Sequence, residues 1–433
     1  MTDPTAVALA ADAYVYGFPL VFDLSEVDRS TREGMGAMSP STYNAFTHAD
    51  ALAGPDDTFV SINNDTLYSI AQLDLGDGPL WLDVPDTQGR YYVLQFVDAW
   101  TNNFAYVGRR ATGTAAARFL LVGPGWQGEA PAGATVIRVP TRVATIVGRV
   151  ACDGPDDLGA VAEVQRGLVL TPLRPGGAPS GVPPVPDAGG EARTFFTRMR
   201  TWMEAFPPSA PELALQERFA GIDELDDAML EAGLAAGQER IETVVRRGDL
   251  GAPVNGWVGL VHIFDYNADH LELGTIDAPE WKIADRRHAH LVRAVAAREG
   301  LWGNHAYEAF YAGCYVDDAG EPLTGERRYE IRFETEPPVD AFWSLTMYDT
   351  PDYYLVRNPI GRYSIGDRTP GLARGEDGTL TLTLQREEPA DPAARANWLP
   401  TPAGGFRPLV RLYEPRAAVL DGSYRLPPIR RID

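Results

Sequence analysis

Residues 171–190 read TPLRPGGAPSGVPPVPDAGG, and neither a helix nor a central strand can pass through them. Proline has no backbone N–H and a fixed φ, and glycine loses the most entropy in regular structure. The segment therefore divides the chain, and different periodicities lie on its two sides. Upstream, TFVSIN, LYSIAQLDL, LWLDVP, YYVLQFVDAW, FAYVGRR, RFLLVGP and TVIRVP are short β-branched or aromatic runs separated by Gly, Pro or Asp. That spacing predicts a sandwich or barrel. RVATIVGRV continues it, and residues 156–170 predict a helix. Downstream, residues 191–206, 211–220, 223–247, 256–272, 283–299 and 304–312 carry helical spacing. RYEIRF, AFWSLTMYD, YYLVRN, TLTLTLQ and VRLYEP then return the chain to strands. At the N-terminus Asp3-Pro4 marks a helix start, with helical spacing over Ala6–Tyr16 and a stop at Gly17 and Pro19.

The expected fold is α+β and mainly β, with two antiparallel β-sandwich (jelly-roll-like) domains joined by a helical segment. Its divisions fall at 1–57 (entry helix and irregular segment), 58–173 (first sandwich with a closing helix), 174–190 (linker), 191–312 (helical segment) and 313–433 (second sandwich).

Charge narrows the function classes. Sixty acidic against 38 basic residues give a net charge of -22, and no basic stripe is present to displace phosphate counterions. Nucleic acid and anionic membrane surfaces are therefore not expected partners. Lys282 is the only lysine, which excludes a Walker-type phosphate loop and leaves one residue capable of a Schiff base. Following Pro279, Glu280 and Trp281, it fits a solvated surface position better. Cys152 and Cys314 stand far apart and outside any CxxC, so they read as small buried hydrophobes. The apolar N-terminus lacks a basic n-region and carries Asp3 and Asp12, which points to a cytoplasmic protein.

Short motifs carry little. Gly123–Gly128 fits GxGxxG, but Glu129, Ala130, Pro131 and Gly133 follow it where a dinucleotide site needs a helix. Gly361–Gly366 misses the nucleophile-elbow spacing by one residue. Among six histidines, His262 and Asp269 lie two helical turns apart and could share a face, but no metal-ligand spacing appears.

The richest constellation is Asn63-Asn64-Asp65-Thr66-Leu67-Tyr68, with His48 upstream and Trp100, Asn102 and Tyr106 downstream. Asn-Asn-Asp suits a turn that opens a strand, with Asp65 bonded to local amides. It equally suits the polar floor of an aromatic-walled pocket. In that second reading Asp65 or His48 is the acid or base, and Asn64 or Tyr68 holds developing oxyanion charge. Asn63, Trp100, Asn102 and Tyr106 then contact the substrate. Arg362 and Tyr363 form a second candidate, in which the guanidinium clamps a carboxylate. Its plain alternative is an arginine–aspartate pair fastening a loop.

The runs YNAFTH (43–48), NNDTLYSIAQLDL (63–75), VPDTQGRYYVLQFVDAWTNNFAYVGRRATGTAAARFLLVGPGW (84–126) and the helix-then-TPL stretch ending at Leu173 resemble the domain of unknown function 1254. FWSLTMYD (342–349), NPIGRYSIGDR (358–368), DGTLTLTLQ (377–385), NWLPTPAGGF (397–406) and VRLYEP resemble the domain of unknown function 1214. RAVAAREGLWGNHAYEAFY (293–311) resembles the helix pair that precedes the latter. The resemblance implies two β-sandwich domains joined by helices, and it implies no reaction.

The residues are best read as a small-molecule enzyme using acid/base chemistry without an organic cofactor, a hydrolase or a lyase/isomerase. Its pocket is expected where the first sandwich meets the helical segment or the second sandwich. Two rivals stay open: a non-catalytic binding protein for a carbohydrate or hydrophobic metabolite, and a metal-dependent enzyme with His and Asp ligands. If the chain self-associates, a homodimer is the default assembly.

Overall fold

The computed structural model describes residues 3–36, 38–57, 60–247 and 251–433. Asp3 caps the first helix, its carboxylate accepting the Thr5 N–H at 2.9 Å, and Pro4 occupies the first turn. The helix does not stop at Gly17. It runs Pro4–Glu33 through both Gly17 and Pro19. An internal proline forfeits one hydrogen bond, and here burial along most of the helix outweighs that loss. A side chain at Gly17 would overlap Met199, so the glycine marks a close helix crossing rather than an end. This helix is long and apolar enough to span a membrane by composition, yet over half of its most apolar window is buried within the fold. It packs on Glu191–Ala205, Asp227–Arg247 and Arg286–Gly300 in one apolar cluster.

Four sheets carry the rest. In the N-terminal domain a five-stranded antiparallel sheet runs Phe46–His48, Thr66–Asp74, Val143–Ala151, Tyr92–Asp98 and Asn103–Gly108 in spatial order. A four-stranded sheet of Thr135–Arg138, Ala117–Val122, Leu80–Val84 and Val169–Pro172 covers one of its faces. Leu67, Leu94, Ile146, Leu82 and Phe119 interleave between the two. The C-terminal domain repeats the plan. Its five-stranded sheet runs Trp257–Gly259, Ala309–Cys314, Phe406–Pro415, Val339–Asp349 and Ser364–Gly366. That sheet packs on Trp398–Pro400, Leu380–Gln385, Tyr329–Phe333 and Arg430–Arg431 around Ile331, Leu345, Leu382 and Leu412. Helix and strand occupy 29% and 26% of the chain, so the protein is α+β with two sheet-rich domains.

Several expected elements differ. Residues 256–272 form the short strand Trp257–Gly259 and then turns, because Asn255 and Gly256 take positive φ. Further on, the Asn267 side chain bonds the backbone of Asp269 and His270, a local alternative to helix. Phe264 and Tyr266 are buried nonetheless, against Ala289, Val292 and Ala296, so their spacing records burial without a helix. Residues 304–312 turn and then join the strand Ala309–Cys314, since a short apolar run does not separate buried strand from helix. Tyr353–Asn358 contributes one bridge, Leu355 to Tyr348. Of TFVSIN, Thr58 and Phe59 lie outside the described residues, and Ser61–Asn63 precede the strand at Thr66. No helix starts after Gly123–Gly128. The 174–190 segment is strapped down: Gly181 N–H donates to Asp74 at 2.7 Å, and the Trp202 indole donates to Pro183 O at 2.9 Å.

In each domain the second face of the five-stranded sheet turns away from its sandwich core. The two faces meet, with Tyr91, Val93 and Tyr106 from one and Ala309, Phe342 and Tyr413 from the other in a single cluster. Cys152 and Cys314 are buried, free thiols.

Candidate active site in the interdomain seam

Asn63–Asp65 makes the turn that opens the strand at Thr66. Asn63 Oδ1 accepts the Thr66 N–H at 3.4 Å, and Asn64 donates to Ala53 O at 2.6 Å. Asp65 is 3% exposed, and its carboxylate does not bond local amides. Oδ1 accepts from Tyr413 Oη at 2.8 Å and Oδ2 from Ser344 Oγ at 2.6 Å, both donors lying in the C-terminal sheet. Asp65 therefore fastens the two domains, and each of its oxygens is already engaged. His48 pairs with Ser69 in register and meets its Oγ at 2.9 Å. Side chains alternate across a strand, so His48 lies on the opposite face of the sheet from Tyr68. Burial lowers its pKa. The expected quartet of Asp65, His48, Tyr68 and Asn64 does not converge.

The other candidates are also dispersed. Trp100 is buried against the helices and donates to Phe206 O at 2.8 Å. Asn102 bridges Asp98 at 2.9 Å and Arg293 at 3.1 Å. Tyr106 Oη meets His305 Nδ1 at 3.0 Å. Arg362 donates to Ala396 O at 3.0 Å and Trp398 O at 2.8 Å, fastening NWLP rather than an acid. Tyr363 follows it, its carbonyl accepting from Met347 N–H at 3.0 Å. His262 bonds Asp265 at 2.6 Å, while Asp269 pairs with Arg286 at 2.7 Å. The expected His262–Asp269 face is lost with the helix. Among the described residues no three His, Cys, Asp or Glu side chains stand where one metal ion could bind.

A cleft of about 690 Å³ opens where the domains meet. The 85–91 loop, Arg109 and Asp153 line it from the N-terminal side, and Asp340, Phe342 and Arg368 from the C-terminal side. Its size lies within the range of small-molecule sites, and such sites favour domain boundaries. Arg368 stacks over Phe342, 3.5 Å from the ring centroid, and also pairs with Asp153 at 2.6 Å.

Behind Arg109 lies a pair of buried glutamates. The strand Asn103–Gly108 ends at Gly108, where a Cβ would press on Tyr92 O at 2.5 Å, and Arg109–Thr112 turns back as one helical turn. This aims Arg109 and Arg110 at the C-terminal sheet. Arg110 pairs with Glu308 at 2.5 Å, and Tyr91 Oη donates to the other Glu308 oxygen at 3.0 Å. Arg109 pairs with Glu414 Oε2, whereas Glu414 Oε1 has no hydrogen-bond partner. Glu414 N–H donates to Glu308 O at 2.9 Å, which sets the two acids side by side. At φ 51 Glu414 occupies left-handed backbone, a strained state that clusters at functional sites. Burial pushes its carboxyl up to about 7; Arg109 opposes this and Glu308 adds to it. A carboxyl poised near neutrality exchanges protons readily.

Two further perturbed groups, Asp265 and His305, stand 3.9 Å apart. Burial raises Asp265 to about 6 against the pull of His262 and lowers His305 to about 3. Sequence reasoning passed over Glu308 and Glu414. Their signal was a carboxylate inside the apolar strand runs AYEAFY and RLYEP, where an unpaired acid is costly.

Two families of proteins of unknown function match the chain, DUF1254 over residues 43–172 and DUF1214 over residues 308–417. The chain carries both domains, as proteins that combine them do. No curated protein matches it. Among solved structures, the VPA0106 protein from Vibrio parahaemolyticus is 23% identical with a TM-score of 0.74, the alignment covering 99% of this chain and 100% of that one. A putative uncharacterized protein from Burkholderia cenocepacia is 11% identical with a TM-score of 0.44, over 99% and 95% of the two chains. The Vibrio likeness establishes the shared fold. The DUF1254 match ends within the strand Val169–Pro172, and the DUF1214 match begins at Glu308 and includes Glu414. The seam is thus where the DUF1254 and DUF1214 units meet.

Proposed function

We propose that this protein is a small-molecule enzyme working by acid/base chemistry in the interdomain cleft, with Glu414 as the proton-transfer group. The observation that carries this reading is a buried carboxyl held near neutrality, with one oxygen unpartnered, directly behind a cleft-lining arginine. Perturbed carboxyls beside clefts are the usual mark of general acids and bases. Arg109 supplies positive charge for an anionic transition state, and Phe342 with Tyr91 gives the substrate an aromatic wall. No organic cofactor enters this scheme. Hydrolysis and lyase or isomerase steps both need such a group.

The test is a screen of wild-type protein against esters, lactones and enolisable carbonyl compounds, repeated with Glu414→Gln. Turnover lost by at least a hundredfold in a folded variant supports the reading. Turnover unchanged in the variant removes Glu414 from the chemistry.

A further inference from the structure

The facing sheets of the two domains are polar at a point away from the glutamate pair. Tyr68 stands beside Arg149 on the N-terminal sheet, and Tyr311, Arg411 and Ser344 stand abreast on the C-terminal one. Arg149 is 7% exposed and forms no ion pair among the described residues. Its guanidinium donates to Gln95 Oε1 at 2.9 Å and Trp302 O at 3.0 Å and lies 5.4 Å from the Tyr68 ring. Arg411, equally buried, donates to Thr346 Oγ1, Ser61 O and Tyr348 Oη. The acid whose charge bears on it is Asp65, already held by Tyr413 and Ser344. Among the described residues, Arg149 has no carboxylate within its hydrogen-bond reach, and the side chains it faces are Tyr68, Tyr311, Tyr413 and Tyr91.

A charge taken out of water without a counter-charge is costly, and arginine stays protonated. Tyr311 lies within the fields of both guanidiniums, and its hydroxyl accepts from Asn304 Nδ2 at 3.0 Å. The Asn304 oxygen is buried without a partner. Tyr68 and Tyr311 are each only partly buried.

We propose that Arg149 anchors a second ligand site, which takes a small carboxylate with the hydroxyls of Tyr68 and Tyr311 as further donors. Arg149 carries one positive charge and bonds only neutral acceptors, so a monoanion neutralises it and a phosphate dianion overshoots. The planar guanidinium fork also matches a carboxylate. A free short-chain acid and the carboxylate end of a larger molecule present the same chemistry. The site is independent of the Glu414 reading.

Thermal unfolding of the full chain in sodium acetate, benzoate or inorganic phosphate, at ionic strength fixed with sodium chloride, tests the site. The wild type should show a saturable rise in midpoint with acetate, benzoate or both. A stronger benzoate response identifies the end of a larger ligand, and an equal one a short-chain acid. Arg149→Met should abolish the rise, and Tyr68→Phe should weaken apparent affinity at least threefold. Should Arg149→Met fail to fold, Tyr68→Phe decides alone. No saturable response in the wild type, an unchanged response in Tyr68→Phe, or phosphate matching the carboxylates would overturn the assignment.

Discussion

Replacing Glu414 by glutamine fixes the side chain in the shape and charge of its protonated form. The wild-type carboxyl rises from an ordinary 4.5 to about 7, chiefly through burial. A displacement of that size corresponds to about 3 kcal/mol. The folded state binds the proton more tightly than the unfolded chain does. Its contribution to stability is therefore full below pH 4.5 and is lost as pH rises through 7. Glutamine does not titrate. The stability of Glu414→Gln relative to wild type should thus climb by about 3 kcal/mol between pH 4.5 and 8. Urea unfolding of both proteins across that range measures it. Taking the difference cancels other carboxyls that titrate there, such as Asp265 at about 6. A difference flat to within about 0.5 kcal/mol would mean that Glu414 titrates as an exposed glutamate, and the proton-transfer assignment would fall.

Asp65→Asn should cost about 1–3 kcal/mol of stability, because a buried acceptor of two hydroxyls is replaced by a group half donor. Turnover should persist in the folded fraction; its abolition would return the base role to Asp65 and displace Glu414. Gly233→Ala should lower stability by about 1–3 kcal/mol, since a methyl there would overlap Ala10 where two helices cross. An unchanged melting temperature would show that the crossing can open.

The strand–helix–strand order was legible because turn residues and period-2 runs are local signals. Pro19 misled, since its cost to the helix is local while the burial that outweighs it comes from Met199, Phe196 and Ala294, all distant in sequence. The 256–272 and 304–312 segments misled for a related reason. Their apolar spacing records burial against Arg286–Gly300 and the C-terminal sheet, and burial does not name the backbone that achieves it. Asp65 stood out correctly as an unusual residue, but its partners Tyr413 and Ser344 lie some 280 to 350 positions away. The glutamate pair was hidden the same way. Glu308 and Glu414 become neighbours only when their strands pair, and Arg109 reaches them only when the two domains dock.

A crystallographic soak with a panel of small organic molecules tests most directly whether the interdomain cleft is where this protein works. Ordered density should appear against Arg109, Tyr91 and Arg368. Compounds that bind elsewhere at saturating concentration, with nothing bound between those three side chains, would contradict it.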